Sequence, residues 1–300
     1  MFRVVVLGSG ASLPTLHRQT SAVAVQFEGD VYLFDCGEGT QLQWRRAGLR
    51  FGRLRGIFIS HLHGDHLNGL VGLLQTLSLN DREEPLHLFG PSGIADYWAA
   101  LRRFQGVRLG YPLEIVEADG GQLLETSTHR VEAASLEHGI PTLGFAVVET
   151  DKPGRFDVDG ATALGVEPGP LFGRLQAGES VTLADGSVVS PDQVLGPPRP
   201  GRRLAYCVDT RPCDAVMDLG RRATLLLCDS TFASELADEA RGRGHCTAAQ
   251  AAQMAVAAEA QQLMLTHISA RYHDARPLLA EAVAVFEETV LAADLMEVFL

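Results

Sequence analysis

The segment 59–67 reads ISHLHGDHL and places three histidines and one aspartate within six consecutive positions. The apolar run 56–59 before it predicts a buried strand, and the apolar run 67–79 after it has helical spacing. The cluster therefore lies in the connection between a buried strand and a helix. Few chains place so many proton-binding groups at such a point without a use for them, and this constrains both the fold and the chemistry.

The spacing of this cluster allows two neighbouring metal sites. In a chain that leaves a strand, residues two apart project to the same side, so His61, His63 and Asp65 can converge while His66 begins the next helix. Imidazole and carboxylate ligands suit Zn²⁺, with Mn²⁺ or iron as alternatives. An isolated histidine is more often a surface or hydrogen-bonded residue, but four such groups in one connection favour metal binding.

Three further candidate ligands follow other strand-like runs, namely His138, Asp209 and His267. Each could be an ordinary loop or capping residue if considered alone. Loops at one edge of a layered α/β core are, however, where distant residues converge on a site. Five histidines and two aspartates exceed the needs of one tetrahedral ion and suit two ions that share a bridging carboxylate.

Two such cations lower the pKa of a shared water, supply hydroxide and clamp the oxygens of a phosphodiester during displacement. Hydrolysis of a phosphodiester is therefore the expected reaction. His245 precedes Thr247, a predicted helix N-cap, and its loop is anchored at a helix start. It is either an exposed loop residue or a proton donor to the leaving oxygen, because imidazole titrates near neutrality.

The remaining pattern predicts a layered α/β fold. Strand-like runs alternate with helical runs on both sides of residues 150–201, a stretch with seven prolines and nine glycines. We expect a single domain over 1–300, with sheets packed on each other, helices outside, and 150–201 as an inserted excursion that does not pack as core.

Composition limits the partners and the compartment. A net charge of −12 opposes the simplest expectation for a nucleic-acid binder, so any phosphate-bearing partner must meet a local basic patch. Five cysteines without a C-x-x-C pair predict reduced thiols rather than disulfides or a cysteine zinc site. The apolar run 4–8 is too short for a signal peptide and no run suits a membrane span, so we expect a cytoplasmic protein without membrane association.

The chain resembles the ribonuclease Z family of the metallo-β-lactamase superfamily. The superfamily motif H-x-H-x-D-H stands at His61–His66, and the resemblance extends to "LFDCGEGTQLQ" at 33–43, "EHGIPTLGF" at 137–145 and "YCVDTRPC" at 206–213. The Gly-Pro-containing insertion at 154–179 is the part most specific to the family. The resemblance implies an αββα four-layer sandwich with an inserted flexible arm, a homodimer, and removal of the 3′ trailer of precursor tRNA to leave a 3′-hydroxyl.

The resemblance also implies roles for individual residues. Two Zn²⁺ ions per subunit are expected, or Mn²⁺ in their place, with Asp65 also acting as the base for the attacking water. His245 matches the histidine thought to assist the leaving group. Asp35 is expected to support a ligating imidazole, or to cap the helix predicted at 38–47. The implied metal ligands are His61, His63 and His138 for one ion, Asp65, His66 and His267 for the other, and Asp209 as the bridge.

The 150–201 insertion resembles the family's tRNA-binding exosite arm, which serves the partner subunit's active site. Its acidic residues outnumber its basic ones, seven to four, so charge alone does not reveal an RNA clamp. Near the N-terminus, "LPTLHRQTS" departs from the family's loop because Leu16 replaces a basic residue, which leaves the treatment of CCA-bearing precursors open. The candidate tRNA contacts are Arg18, Arg155, Gly169, Pro170 and Arg174.

Two other functions stay open at this point. One is a phosphodiesterase of the same superfamily that acts on small substrates such as cyclic nucleotides or cyclic phosphates. The other is a catalytically silent RNA-binding protein that keeps the fold, against which the full ligand set argues. Deletion of residues 152–198 separates the first alternative from tRNA processing, and metal analysis tests the second.

Overall fold

The computed structural model describes residues 2–300. Two compact units are found. The first comprises the described chain up to Thr126, together with Arg130–Val148 and Arg203–Leu300, and the second comprises Ser127–His129 and Glu149–Arg202. The predicted metal ligands all belong to the first unit.

Eighteen strands and ten α-helices are found within residues 2–300. The strands are β1 Phe2–Gly8, β2 Gly10–Ala11, β3 Ala22–Phe27, β4 Asp30–Phe34, β5 Leu54–Phe58, β6 Leu86–Gly90, β7 Leu113–Glu117, β8 Gly120–Glu125, β9 His129–Ser135, β10 Leu143–Glu149, β11 Val181–Thr182, β12 Val188–Val189, β13 Arg203–Cys207, β14 Leu225–Asp229, β15 Leu263–Thr266, β16 Ile268–Ser269, β17 Thr289–Leu291 and β18 Glu297–Phe299. The helices are α1 Thr40–Arg46, α2 Gly64–Leu67, α3 Leu70–Leu79, α4 Ile94–Gln105, α5 Val158–Ala163, α6 Pro170–Gln176, α7 Asp214–Leu219, α8 Ala237–Arg243, α9 Ala248–Ala257 and α10 Arg276–Val283.

Two seven-stranded sheets form the centre of the first unit, in the orders β18-β1-β3-β4-β5-β6-β7 and β17-β15-β14-β13-β10-β9-β8. Their facing sides share one core, in which Phe58 of one sheet lies 5.7 Å from Phe145 of the other between ring centroids. Strand alternation explains the layers: Val4 and Val6 enter this shared core, whereas Val5 faces the outer helices. The expected αββα sandwich is therefore confirmed.

The candidate site residues follow the carboxyl ends of parallel strands in both sheets. β4, β5, β6 and β7 pair in parallel, as do β13, β14 and β15. Asp35 comes directly after β4, the histidine cluster after β5, Asp209 after β13 and His267 after β15. Residues up to 232 positions apart in the chain thus each follow the carboxyl end of a parallel strand.

Some element predictions differ from the structure. The apolar run 262–269 predicts one strand, but the structure interrupts it at His267 into β15 and β16. The helical pattern over 275–288 predicts a longer helix than the one found, which ends at Val283. Helices α7 and α8 escaped prediction because both are short and follow polar turns. The predicted cap Thr247 is confirmed, with its side chain accepting from Gln250 N in a capping box.

The expectation that the insertion does not pack as core is wrong. The second unit contains α5, α6 and the β11–β12 hairpin. These elements enclose a small core of their own, formed by the buried side chains Ala161, Val166, Leu175, Val181, Val189 and Val194. Its apolar residues are scattered singly between turns, so no periodic run revealed it.

Within residues 2–300, none of the helices combines the length and apolar character needed to cross a membrane. The five cysteines are free thiols, as predicted, and four of them are buried.

Candidate metal centre and active site

The histidine cluster occupies the turn between β5 and the short helix α2. His63 is the residue before α2 and still has extended backbone geometry. Asp65 and His66 lie within the single helical turn of α2. This change of backbone geometry divides four neighbouring residues between two groups of donor atoms.

The first donor group contains His61, His63, His138 and one oxygen of Asp209. His63 Nδ1 lies 3.0 Å from His61 Nε2 and 3.3 Å from His138 Nε2. Asp209 Oδ2 lies 3.4 Å from His61 Nε2 and 3.8 Å from His138 Nε2. The structure therefore brings together four donors from three separate parts of the chain.

The second donor group contains Asp65, His66 and His267, and the other oxygen of Asp209 joins it. His66 Nε2 lies 3.3 Å from His267 Nε2 and 3.4 Å from Asp65 Oδ2. Asp209 Oδ1 lies 3.3 Å from His66 Nε2 and 3.0 Å from His267 Nε2. All seven predicted ligands thus lie in two adjoining groups.

Asp209 stands between the groups with one carboxylate oxygen facing each. The side chain is almost fully buried, and its Oδ1 receives no well-directed hydrogen bond in the described chain, although His267 Nε2 lies 3.0 Å away. A buried carboxylate oxygen that lacks a donor is costly unless something else satisfies it. A divalent cation on each side of the carboxylate would do so.

The spacing within each group fits a tetrahedral metal ion. Ligand atoms about 2.0–2.1 Å from a zinc ion lie about 3.3–3.4 Å from one another. Most of the donor separations in both groups fall close to this value, between 3.0 and 3.5 Å. The donor chemistry, imidazole with carboxylate, is also that of zinc and similar divalent ions.

Burial and neighbouring charges have opposing effects on the pKa values of His267 and Asp209. Burial lowers the pKa of His61 to about 4, and the nearby His66 acts in the same direction. Burial also acts to lower the pKa of His267, but the Asp209 carboxylate outweighs it and raises that pKa to about 10. Burial acts to raise the pKa of Asp209, yet His267, His66 and His61 hold it well below its usual value. The centre therefore keeps an ionised carboxylate among imidazoles.

The imidazoles are held in place by hydrogen bonds at their other nitrogens. His138 Nδ1 donates to Gly244 O at 2.9 Å, and His61 Nδ1 lies 2.9 Å from Ser60 Oγ. His267 Nδ1 lies 2.8 Å from Thr231 Oγ1. Such partners fix the tautomer of a ligating histidine and leave Nε2 available for a cation.

Asp35 supports His66 rather than capping a helix. Its Oδ2 lies 2.7 Å from His66 Nδ1 and accepts from Tyr206 Oη at 2.8 Å, and its Oδ1 accepts from Ser60 N at 2.7 Å. The N-cap position of α1 is Gly39, without a side-chain cap. Of the two interpretations of Asp35, the geometry favours the supporting one.

His245 lies beside both donor groups. Its ring centroid is 5.3 Å from the ring of His138 and 5.3 Å from that of His267. Its Nδ1 lies 2.8 Å from Asp229 Oδ2, and Asp229 is completely buried. Asp229 accepts further hydrogen bonds from Thr231 and Thr210, so its oxygens are occupied as acceptors.

Asp229 is the site residue that sequence reasoning missed. It ends β14 in "LLLCDST", a pattern similar to "AYCVDTRP" around Asp209, where an apolar run also ends at an aspartate. Applying the same criterion to both segments would have found it.

The predicted tRNA contacts lie in different surroundings. The Arg18 guanidinium is turned inward, where Nη1 donates to Ser9 Oγ and Ala292 O, both at 2.6 Å. Arg174 Nε is paired with Glu179 at 2.9 Å, whereas Arg155 is exposed. Gly169 and Pro170 are exposed at the start of α6. None of these five residues joins the donor groups, and contact with tRNA stays a prediction for each.

Comparison with solved structures defines the class of protein. The protein YhfI from Bacillus subtilis, described as a metallo-β-lactamase fold protein, aligns over 100% of both chains with a TM-score of 0.69 and 19% identity. The short form of human tRNase Z aligns over 99% of this chain and 98% of its own, with a TM-score of 0.73 and 28% identity. This chain is thus a metallo-β-lactamase fold protein.

Sequence relatives narrow the class to a family. Ribonuclease Z from Methanosarcina acetivorans is 45% identical over 298 residues, which covers 99% of this chain and 97% of the relative. Ribonuclease Z from Salinibacter ruber is 48% identical over 297 residues, covering 97% and 92%. The chain belongs to the ribonuclease Z family, and the resemblance noted from its motifs is confirmed. A family model described as Anti-Pycsar protein Apyc1 also matches residues 2–102, which stops short of His138, Asp209 and His267.

Proposed function

We propose that this protein is a metal-dependent endoribonuclease that removes the 3′ trailer of precursor tRNA and leaves a 3′-hydroxyl on the tRNA. Membership of the ribonuclease Z family supports the substrate and the hydrolase class. The observation that carries the chemistry is the pair of donor groups sharing Asp209. Such a site suits cleavage of a phosphodiester by water.

The residues of both donor groups would hold two divalent ions per subunit, Zn²⁺ in our proposal and Mn²⁺ as the alternative. Bound ions of this kind acidify a water molecule and neutralise charge on the phosphate. Asp65 would orient the water and accept its proton. The contacts found for Asp65 within residues 2–300 use Oδ2, which accepts from Ser12 N at 2.7 Å and faces His66 and His267. That arrangement leaves Oδ1 for the water.

His245 would donate a proton to the oxygen that leaves the cleaved phosphate. Its Nδ1 faces the buried Asp229 carboxylate, so the ring is held in one orientation with Nε2 on the other side. A carboxylate in this position stabilises the protonated imidazole that a general acid requires. Asp229 would therefore act by positioning His245.

We further propose that residues 149–202 of the second unit grip the tRNA and serve the partner's active site in a homodimer. We place the protein in the cytoplasm, where precursor tRNA is its substrate. Both proposals are supported by the likeness of the chain to its family.

The direct test is incubation of the purified protein with precursor tRNAs that carry a 3′ trailer, with and without an encoded CCA, followed by mapping of the new ends. We expect a single cut at the base of the trailer, a 3′-hydroxyl on the tRNA and a 5′-phosphate on the trailer. Products with a 2′,3′-cyclic phosphate, or no cleavage of any precursor by metal-loaded protein, would exclude this function.

A further inference from the structure

The segment 39–64 is unusually basic for this chain. It contains five arginines and not one acidic residue, while the whole chain carries a net charge of −12. Four of these arginines, Arg45, Arg46, Arg50 and Arg53, are exposed, and we call them the arginine cluster. A patch of this kind is the local exception that a polyanion-binding protein with excess negative charge requires.

The arginine cluster is not neutralised by carboxylates. Within residues 2–300 none of its four members forms an ion pair, and Arg46 donates to Gln43 Oε1 at 3.1 Å. The fifth arginine, Arg55, engages both Asp30 and Glu84. These two carboxylates are therefore already occupied, and the four guanidinium groups of the cluster are available to an outside anion.

Helix stabilisation explains only part of the cluster. Arg45 and Arg46 lie in the last turn of α1, where positive charge interacts favourably with the helix dipole. Arg50 and Arg53 lie beyond α1, at the two ends of the 3₁₀ turn Phe51–Arg53. Both of these arginines line a cavity of about 310 Å³, together with Arg3.

This cavity offers a concave surface to a phosphate group. Arg3 is committed to Glu297 at 2.6 Å, whereas Arg50 and Arg53 form no ion pair with any residue of the described chain. Gly29 and Gly48 also line the cavity and keep side chains away from the opening. Arginine suits such a place because its planar guanidinium binds phosphate oxygens in pairs.

The cluster lies away from the chemistry, because Arg53 and the metal-ligand loop are at opposite ends of β5. Arg53 directly precedes β5, and the metal-ligand loop begins at His61 beyond the far end of that strand. About eight residues of extended chain span about 25 Å. A polynucleotide strand covers such a distance in a few nucleotides, so an RNA with one phosphate at the donor groups can place others at the cluster.

We propose that the arginine cluster binds backbone phosphates of the precursor RNA, either of the 3′ trailer or of the tRNA body. This inference rests on the proposed function and adds a second binding surface to it. The second unit has seven acidic and four basic residues over 150–201, so its charge does not supply the electrostatic attraction for RNA. The arginine cluster does.

The test compares two variants in which four arginines are replaced by glutamine. The first variant carries Arg45→Gln, Arg46→Gln, Arg50→Gln and Arg53→Gln. The control variant carries the same number of substitutions at arginines that are ion-paired in the structure. These are Arg130, Arg221, Arg222 and Arg276. Both variants lose the same charge, so any difference reports the position of the charge.

Steady-state cleavage is measured with metal-loaded protein at several salt concentrations, on precursors with trailers of a few nucleotides or about ten times that length. For the cluster variant we expect KM at low salt to rise at least tenfold with kcat within twofold of wild type. We also expect the salt dependence of KM to weaken, by a slope of about 0.7–0.9 for each phosphate that the protein no longer neutralises. A rise confined to the long trailer identifies trailer phosphates, and a rise with both precursors identifies the tRNA body.

The inference is overturned if the cluster variant and the control variant show the same KM and the same salt dependence with both precursors. Hydrolysis of a small chromogenic phosphodiester, which cannot reach the cluster, should be unchanged in both variants and shows that the active site is intact. Failure of the wild-type protein to cut precursor tRNA would instead refute the proposed function.

Discussion

Asp209 and His267 both have left-handed backbone geometry, with φ of 52° and 58°, and Asp35 shares it with φ of 57°. Each of the three follows a parallel strand within two residues. This conformation costs a residue other than glycine about 1–3 kcal/mol and persists where the surroundings hold it. At these positions the sharp turn aims the side chain across the strand ends, which explains how separate strands deliver donors to one centre.

Removal of the Asp65 carboxylate should abolish cleavage without abolishing binding. We predict that Asp65→Ala lowers kcat by at least a thousandfold on a precursor tRNA, because a metal ligand and the proposed base are removed together. Its Kd for the same precursor, measured by filter binding, should stay within threefold of wild type. A tenfold or greater loss of affinity would show that binding and chemistry are not separate.

Asp229 should affect the rate of cleavage by positioning His245. We predict that Asp229→Asn lowers kcat about 10–100-fold with little change in KM, because the orientation and charge of the imidazole are disturbed. Metal content should remain that of wild type, and the pH profile of kcat should shift, which a purely structural defect would not cause. An Asp229→Asn protein with wild-type kcat and pH profile would argue against the positioning role.

At the scale of single residues, the sequence revealed donors that are close together or that end an apolar run. His61 to His66 were evident because their contiguity needs no tertiary information. Asp229 also ends an apolar run, but its pairing with His245, 16 positions away, depends on the fold. The inward direction of Arg18 was equally hidden, since it depends on Ser9 and Ala292.

At the scale of elements, Glu149 and Arg202 join the two ends of the inserted segment. Arg202 Nε and Nη2 donate to the Glu149 carboxylate at 2.7 and 2.6 Å, Arg202 N donates at 3.0 Å, and Lys152 Nζ lies 3.1 Å away. Burial acts to raise the pKa of Glu149, but these partners outweigh it and lower the pKa to about 2. The ion pair therefore holds together the two chain ends of the second unit.

We predict that Glu149→Gln destabilises the second unit by about 2–3 kcal/mol at pH 7. A carboxyl group whose folded pKa lies below its unfolded value of about 4.3 stabilises the fold above that pH and loses this effect as the pH falls towards 2. The difference between wild type and Glu149→Gln should therefore shrink by about half at pH 3. Hydrogen exchange of amides in α5 and α6 measures the stability of the second unit in both proteins. A difference in stability that does not depend on pH would contradict the ion pair as its cause.

The elements of the first unit were largely predictable, because their strands are continuous apolar runs and their helices are amphipathic. The second unit was not. Its helices α5 and α6 have six and seven residues, too few for a periodic signal, and its core depends on single apolar residues separated by turns. The proline and glycine content indicated an insertion, but it did not predict the small hydrophobic core that the insertion forms.

At the scale of the whole molecule, the proposed homodimer can be tested by mixing two defective chains. A chain lacking 152–198 keeps the donor groups, and the Asp65→Ala chain keeps the second unit. If the second unit serves the partner's site, an equal mixture after subunit exchange should recover roughly a quarter of wild-type activity on precursor tRNA, since half the dimers are mixed and each has one complete site.

Each parent protein alone should be inactive on precursor tRNA. The deletion chain should still hydrolyse a small chromogenic diester, which shows that its donor groups remain intact. Differently tagged chains show whether subunits exchange. If they exchange and the mixture recovers no activity on precursor tRNA, the second unit of one subunit does not act at the active site of the other. Deletion without loss of precursor cleavage would contradict the proposed role of the second unit in gripping the tRNA.

Seven side chains should hold a pair of divalent ions around Asp209, and the proposed chemistry depends on both ions. Elemental analysis of the purified protein, after removal of loosely bound metal, tests this most directly. We predict two equivalents of zinc or manganese per chain, and at most one in Asp209→Ala because its carboxylate faces both donor groups. Wild-type protein that binds no ion, or an Asp209→Ala protein that retains both, would contradict the two-ion centre.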